Sequence, residues 1–174
     1  MDSYRKGQDI LIKAAKEVLD SGYNIRVSFI GDGNKRSEFE ELANKEGIKD
    51  KVDFYGLIKD KKFIQKIELD SHLFVLPTKS EGLPRSIIEA MSCGLPCIVS
   101  SVDGNSELIS NNWLINSFDY HDYAKKIIEM LNDFSNMKKV GIENYNKSLE
   151  YDHTLLSKRR TSFYKKLKEI VYEK

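Results

Sequence analysis

The stretch Leu73-Phe-Val-Leu-Pro-Thr-Lys-Ser-Glu-Gly-Leu-Pro-Arg-Ser-Ile-Ile-Glu-Ala-Met-Ser-Cys-Gly-Leu-Pro-Cys-Ile-Val-Ser100 decides the fold. Leu73–Leu76 is a continuous apolar run ended by Pro77, as expected of a strand covered on both faces. Arg85–Cys93 reads as a helix stopped by Gly94, and Pro96–Ser100 as a second buried strand. Strand, helix and strand in this order imply a right-handed βαβ crossover and a parallel pair.

The same alternation extends in both directions. Toward the amino terminus, Gln8–Asp20 carries a helical stripe (Ile10, Leu11, Ala14, Ala15, Val18, Leu19). Asn24–Gly31 reads as a strand, 34–46 as a helix with Phe39, Leu42 and Ala43 inward, Val52–Tyr55 as a strand, and Phe63–Leu69 as a weaker helix. Toward the carboxyl terminus come one helical turn at 106–109, a last strand at 113–115, an amphipathic helix at 120–131 and a longer helix at 155–171. The expected fold class is α/β: a Rossmann-like, doubly wound parallel sheet with helices on both faces, in one domain over residues 1–174.

Bulk properties remove several function classes. Net charge is +1 over 174 residues, so no broad field recruits nucleic acid or acidic lipid, and any anion must be held by local geometry. The two cysteines, Cys93 and Cys97, and three scattered histidines supply no metal set; neither metal nor cofactor is expected. No apolar run reaches the ~20 residues of a membrane span, and the amino terminus has no signal-like core, so the reading is cytoplasmic.

In such sheets ligands sit outside the carboxyl ends of the strands. The loop after Leu76 places Glu81 just before a helix that begins near Pro84. Proline suits a first helical turn, and the N–H groups of Arg85 and Ser86 are then free to face an anion such as a phosphate. Glu89, one turn in, is an acceptor-only group suited to the two donors of a ribose diol. From the residues alone, two glutamates eight apart are more often ordinary surface acids around a helix start. Lys6 could be a solvated charge, and Gly31-Asp32-Gly33 a tight turn.

The segment S-E-G-L-P-R-S-I-I-E-A-M-S-C-G-L-P-C-I-V-S resembles the E-x7-E region of retaining glycosyltransferases of family 4, whose two-domain fold is called GT-B. R-K-G at 5–7, F-I-G-D-G at 29–33, V-D-F-Y-G at 52–56 and D-G-N-S-E at 103–107 fall in the family's order, up to about Leu131. The resemblance implies the carboxy-terminal half of GT-B, binding a nucleotide-diphosphate sugar, commonly a UDP-sugar, for transfer to an acceptor hydroxyl in cell-surface polysaccharide synthesis. It assigns catalytic roles to Glu81, on the donor-sugar hydroxyls, and Lys6, on the diphosphate. It assigns substrate binding to Glu89 (ribose), Gly82, Leu83, Arg85 and Ser86 (phosphate), Ile58 with Leu57 (base), and Gly31 and Gly33 (close backbone approach). Many relatives have Gly-Phe-Gly where this chain has Gly82-Leu83-Pro84; one amide is lost, and Arg85 is expected to compensate.

The resemblance further implies that the family's first, central strand would fall at or before Met1 and is missing here, leaving two strand edges unpaired. The amino-terminal acceptor domain would also be missing, so the isolated chain is expected to be inactive alone, with the terminal helix at 153–172 packing on that domain or on a partner chain. A non-catalytic nucleotide-sugar-binding subunit stays open as the alternative, as does peripheral association of the full enzyme with the inner face of the membrane. A dinucleotide oxidoreductase is disfavoured, because the glycine turn at 31–36 lacks its third glycine.

Overall fold

The computed structural model describes residues 1–172; residues 173 and 174, the end of the expected domain, lie outside them. Strands β1 (Val27–Ile30), β2 (Val52–Gly56), β3 (Phe74–Leu76), β4 (Cys97–Ser100) and β5 (Leu114–Ile115) alternate with helices α1 (Gln8–Asp20), α2 (Arg36–Lys45), α3 (Lys61–Leu69), α4 (Arg85–Ser92) and α5 (Asp103–Ser106), and after β5 come α6 (Tyr120–Asn132), α7 (Phe134–Ser148) and α8 (His153–Tyr172) in succession. All named strand pairs are parallel, as crossovers through helices require. Helices cover both sides of the sheets, α1 packing with α6 and α4 with α7.

The strands form two pieces, ordered β1-β2 and β3-β4-β5, with no ladder between β1 and β3 among the described residues. Helix α1 holds the pieces together because it is apolar on two sides. Ile10, Ala14 and Val18 form one stripe, packing with Ile87, Met91, Ile98, Val99 and Tyr123. Ile12 and Ala15 form another, packing with Phe29, Phe39, Ile48 and Val52. Leu11 and Ile25 touch both clusters. Strand β4 is buried along its whole length, which accounts for its unbroken Cys-Ile-Val-Ser run.

Three elements differ from the sequence expectation. Helix α7 is an addition to the expected elements. Its inward positions are Met137, Val140, Gly141, Asn144 and Ser148, correct in helical spacing, but only the first two are apolar and the other three, small or polar, break the stripe. They serve a close approach instead: a Cβ at Gly141 would lie 2.3 Å from the Gly94 carbonyl oxygen, and Asn144 Nδ2 donates to the Leu95 carbonyl at 2.9 Å. Helix α3 begins before its apolar stripe, where the Asp60 carboxylate accepts from the Lys62 amide at 2.9 Å. The helical turn expected at 106–109 lies earlier, at α5. Helix α8 touches the rest of the chain mainly through the turn at Leu149–Tyr151, and Leu156, Phe163 and Leu167 on its apolar face are exposed. No helix among the described residues is long and apolar enough to cross a membrane.

Candidate functional site

At the carboxyl end of β3 the chain builds a hollow of about 490 Å³ lined by Lys6, Lys61, Glu81, Leu83, Pro84, Arg85, Ser86 and Glu89. That volume is in the range of small-molecule sites. Lys6 closes a 3₁₀ turn over Tyr4–Lys6, and the chain then reverses through Gly7 at φ 71° into α1. Gly7 is required there twice over. Its φ is left-handed, and a Cβ would lie 2.2 Å from the Pro77 carbonyl oxygen.

This close approach ties the turn to the loop after β3. The Lys79 amide donates to the Arg5 carbonyl at 2.7 Å, and the buried Thr78 hydroxyl lies 3.2 Å from both the Arg5 and Ser80 carbonyls. The result is an ion pair between Lys6 Nζ and Glu81 Oε1, side chains far apart in sequence. The Glu81 side chain is 11% exposed and that of Lys6 41%, so the carboxylate is the recessed member.

Helix α4 opens onto the same hollow. Pro84 is its N-cap in extended conformation, with no side-chain cap, and Ile87 is the first amide bonded back, to the Pro84 carbonyl at 3.1 Å. The amides of Arg85 and Ser86 therefore have no acceptor among the described residues. Together with the helix dipole, they present a positive mouth. Glu89 lies one turn deeper on the lining face. The arrangement can grip an anion at the mouth, with an acceptor-only carboxylate on either side for hydroxyl donors.

The hollow thus gathers Lys6, Glu81, Leu83, Arg85, Ser86 and Glu89 from the sequence-based set, and leaves Gly31, Gly33, Ile58 and Gly82 out of its lining. Gly31 is bonded to the Gly56 carbonyl at 2.8 Å at the end of the β1–β2 pair. At Gly33 the direction a Cβ would take is filled by the Met1 backbone, 2.4 Å away, rather than left open for a ligand. Ile58, between β2 and α3, does not line the hollow. Gly82 lies in the loop between Glu81 and the helix mouth, its carbonyl seated on Gly104. No group of three or more His, Cys, Asp or Glu residues suited to a metal occurs among the described residues. A second hollow of about 460 Å³ lies between α2 and β2, but its arginine, Arg36, is committed to Glu40 and to the Phe54 carbonyl.

A family model described as Glycosyl transferases group 1 matches residues 2–147. The chain belongs to this family. Among its relatives, Protein CapJ of Staphylococcus aureus is 33% identical over 122 residues, covering 70% of this chain and 31% of CapJ. The UDP-Gal:alpha-D-GlcNAc-diphosphoundecaprenol alpha-1,3-galactosyltransferase of Escherichia coli is 31% identical over 127 residues, covering 70% of this chain and 32% of the enzyme. The chain thus spans about a third of the length of these relatives. In structure it resembles Anabaena Alr3699/HepE, solved in complex with UDP, with a TM-score of 0.83 at 20% identity over 94% of this chain and 46% of that one. The α/β architecture is that of GT-B glycosyltransferases.

The hollow rests on a buried relay beneath it. Ser100 Oγ donates to the Thr78 carbonyl at 2.5 Å, and Asn105 Nδ2 donates to the Ser100 carbonyl at 2.9 Å; all three residues are almost fully buried. This relay fixes the end of β4 and helix α5 against the loop that carries Glu81. A Cβ at Gly104 in α5 would lie 1.3 Å from the Gly82 carbonyl oxygen, so the loop sits directly on that glycine. The D-G-N-S-E segment was the only sequence signal for this support. Lys61 had none.

Proposed function

We propose that the chain is the carboxy-terminal, donor-binding half of a retaining glycosyltransferase of family 4. It holds a nucleotide-diphosphate sugar, foremost a UDP-sugar, for transfer of the glycosyl group to an acceptor hydroxyl in cell-surface polysaccharide synthesis in the cytoplasm. The observation that carries this reading is the convergence of a carboxylate–ammonium pair, a helix mouth and a second carboxylate on one hollow. In a sugar diphosphate the ring hydroxyls lie beside the first phosphate, so adjacent Glu81 and Lys6 fit one group each. The Arg85 and Ser86 amides take the diphosphate, with the Arg85 side chain supplying charge where Pro84 has removed a donor. Glu89 takes the ribose. As the bond to the anomeric carbon breaks, charge grows on the departing diphosphate, where these cations and amides are already oriented. The acceptor is bound by a further domain or a partner chain, and this half alone does not turn over.

A thermal-shift panel of UDP-, GDP- and ADP-sugars tests the reading. A ligand at a hundred times its Kd adds ~2.7 kcal/mol, or roughly 5–10 °C for a chain of this size. The expected result is such a shift with at least one donor and its loss in Glu89→Ala. Shifts absent for every donor, or equal in Glu89→Ala, overturn the reading.

A further inference from the structure

Helices α3 and α4 meet at both ends. Near their carboxyl ends, Cys93 Sγ donates to Glu68 Oε2 at 3.6 Å, and at their amino ends Lys61 shares the hollow with Arg85 and Ser86. Of the three cations in the hollow, Lys6 is held by Glu81, whereas no ion pair among the described residues engages Lys61 or Arg85. Resting on the proposed function, the order of groups fixes what each can reach. Sugar lies at Glu81, diphosphate at the mouth of α4, and ribose at Glu89. Beyond the ribose comes the base, and Lys61 at the start of α3 is the lining cation left for it once Arg85 serves the diphosphate. An ammonium is donor-only, with three N–H groups and no acceptor. It rewards a ring carbonyl and repels nothing but a donor. Uracil and guanine carry a carbonyl where cytosine and adenine carry an amino group.

We propose that Lys61 is a specificity-determining residue that selects keto bases over amino bases in the nucleoside diphosphate. Its position on an exposed first turn leaves the fold indifferent to its replacement, so binding data on variants read the contact itself. A charge-assisted hydrogen bond of this kind contributes on the order of one factor of ten in affinity or more.

Calorimetry with UDP, CDP, GDP, ADP and inorganic pyrophosphate on the wild-type chain, Lys61→Met and Lys61→Arg tests this. The expected result is UDP bound about tenfold tighter than CDP, and GDP tighter than ADP. Both ratios fall toward one in Lys61→Met and persist in Lys61→Arg, and pyrophosphate binding is the same in all three. Ratios unchanged in Lys61→Met overturn the inference, and a uniform loss that includes pyrophosphate assigns Lys61 to the phosphates instead. Absence of binding by all four nucleotides, in a wild-type chain that is folded, removes the proposed function and this inference together. Keto-blind binding abolished by Glu89→Ala removes only the inference.

Discussion

Replacing Gly104 by alanine should disable the site from behind. The added Cβ would lie 1.3 Å from the Gly82 carbonyl oxygen, 2.5 Å from its carbon and 3.3 Å from Pro84 Cδ. Carbon–oxygen contacts settle near ~3.4 Å, so the two backbones must part by about 2 Å. Gly104 needs no unusual φ, so the effect is purely steric. Helix α5 cannot retreat, because buried Asn105 anchors it to Ser100 and through Ser100 to Thr78. The loop is the side that yields: Leu83 is 50% exposed and Gly82 is on the surface. Moving it carries Glu81 and the α4 mouth off their mutual alignment. A displacement of this size costs well over the ~1.4 kcal/mol of a tenfold change, since charge-assisted hydrogen bonds contribute about 1.5–3 kcal/mol each. Overpacking should also lower the melting temperature by roughly 2–12 °C, from ~1–3 kcal/mol of strain. Titration of UDP into Gly104→Ala by calorimetry, with a melting curve, measures both. Wild-type affinity and wild-type melting together would refute the claim that the loop rests on Gly104.

Arg85→Ala should weaken UDP binding several-fold while leaving the melting temperature of the free chain within a degree or so, since Arg85 is exposed at a helix start; unchanged affinity would show that the lost Pro84 amide is not compensated by its side chain. Ile98→Ala, fully buried in β4, should cost about 2–5 kcal/mol, read as a melting point lower by roughly 4–20 °C. Burial, and then the like charge of Glu89, hold the Glu68 carboxyl above its ordinary value, against a weaker opposing hydrogen bond from Cys93. A carboxyl with a raised folded-state value destabilises the fold when ionised, and the deficit disappears below the unfolded value of about 4.3. Glu68→Gln should therefore melt higher than wild type at pH 7 and level with it near pH 4; a constant difference across that range contradicts the burial argument.

Each feature was legible in the sequence to the degree that it contrasts with its surroundings. Leu73–Leu76 and Pro96–Ser100 stood out because both are buried on two faces, and Gly94 ended α4 at φ 74° as a stop glycine should. The motif residues from Glu81 to Glu89 were legible for a different reason. Their order resembled a family, and one helix start and one helix face sufficed to place them on a common hollow. Lys6 could be joined to them only by the resemblance, because its approach depends on Gly7 meeting Pro77 across the fold. Helix α7 stayed hidden because Gly141 and Asn144 contact backbone rather than apolar side chains. Gly104 and Lys61 stayed hidden because their meaning lies in what faces them: a carbonyl in one case and the hollow in the other. Of the two glycines expected to make room for a ligand, Gly31 has open space where a Cβ would lie, whereas at Gly33 the Met1 backbone fills it.

The most direct test is an amide-resolved NMR titration of the chain with UDP. Shifts concentrated at Lys6, Glu81, Arg85, Ser86 and Glu89, absent in Glu89→Ala, are the expected outcome. A response centred instead on the Arg36–Glu40 hollow, or spread over the surface without reaching the start of α4, contradicts the idea that this helix mouth and its two flanking carboxylates hold the donor.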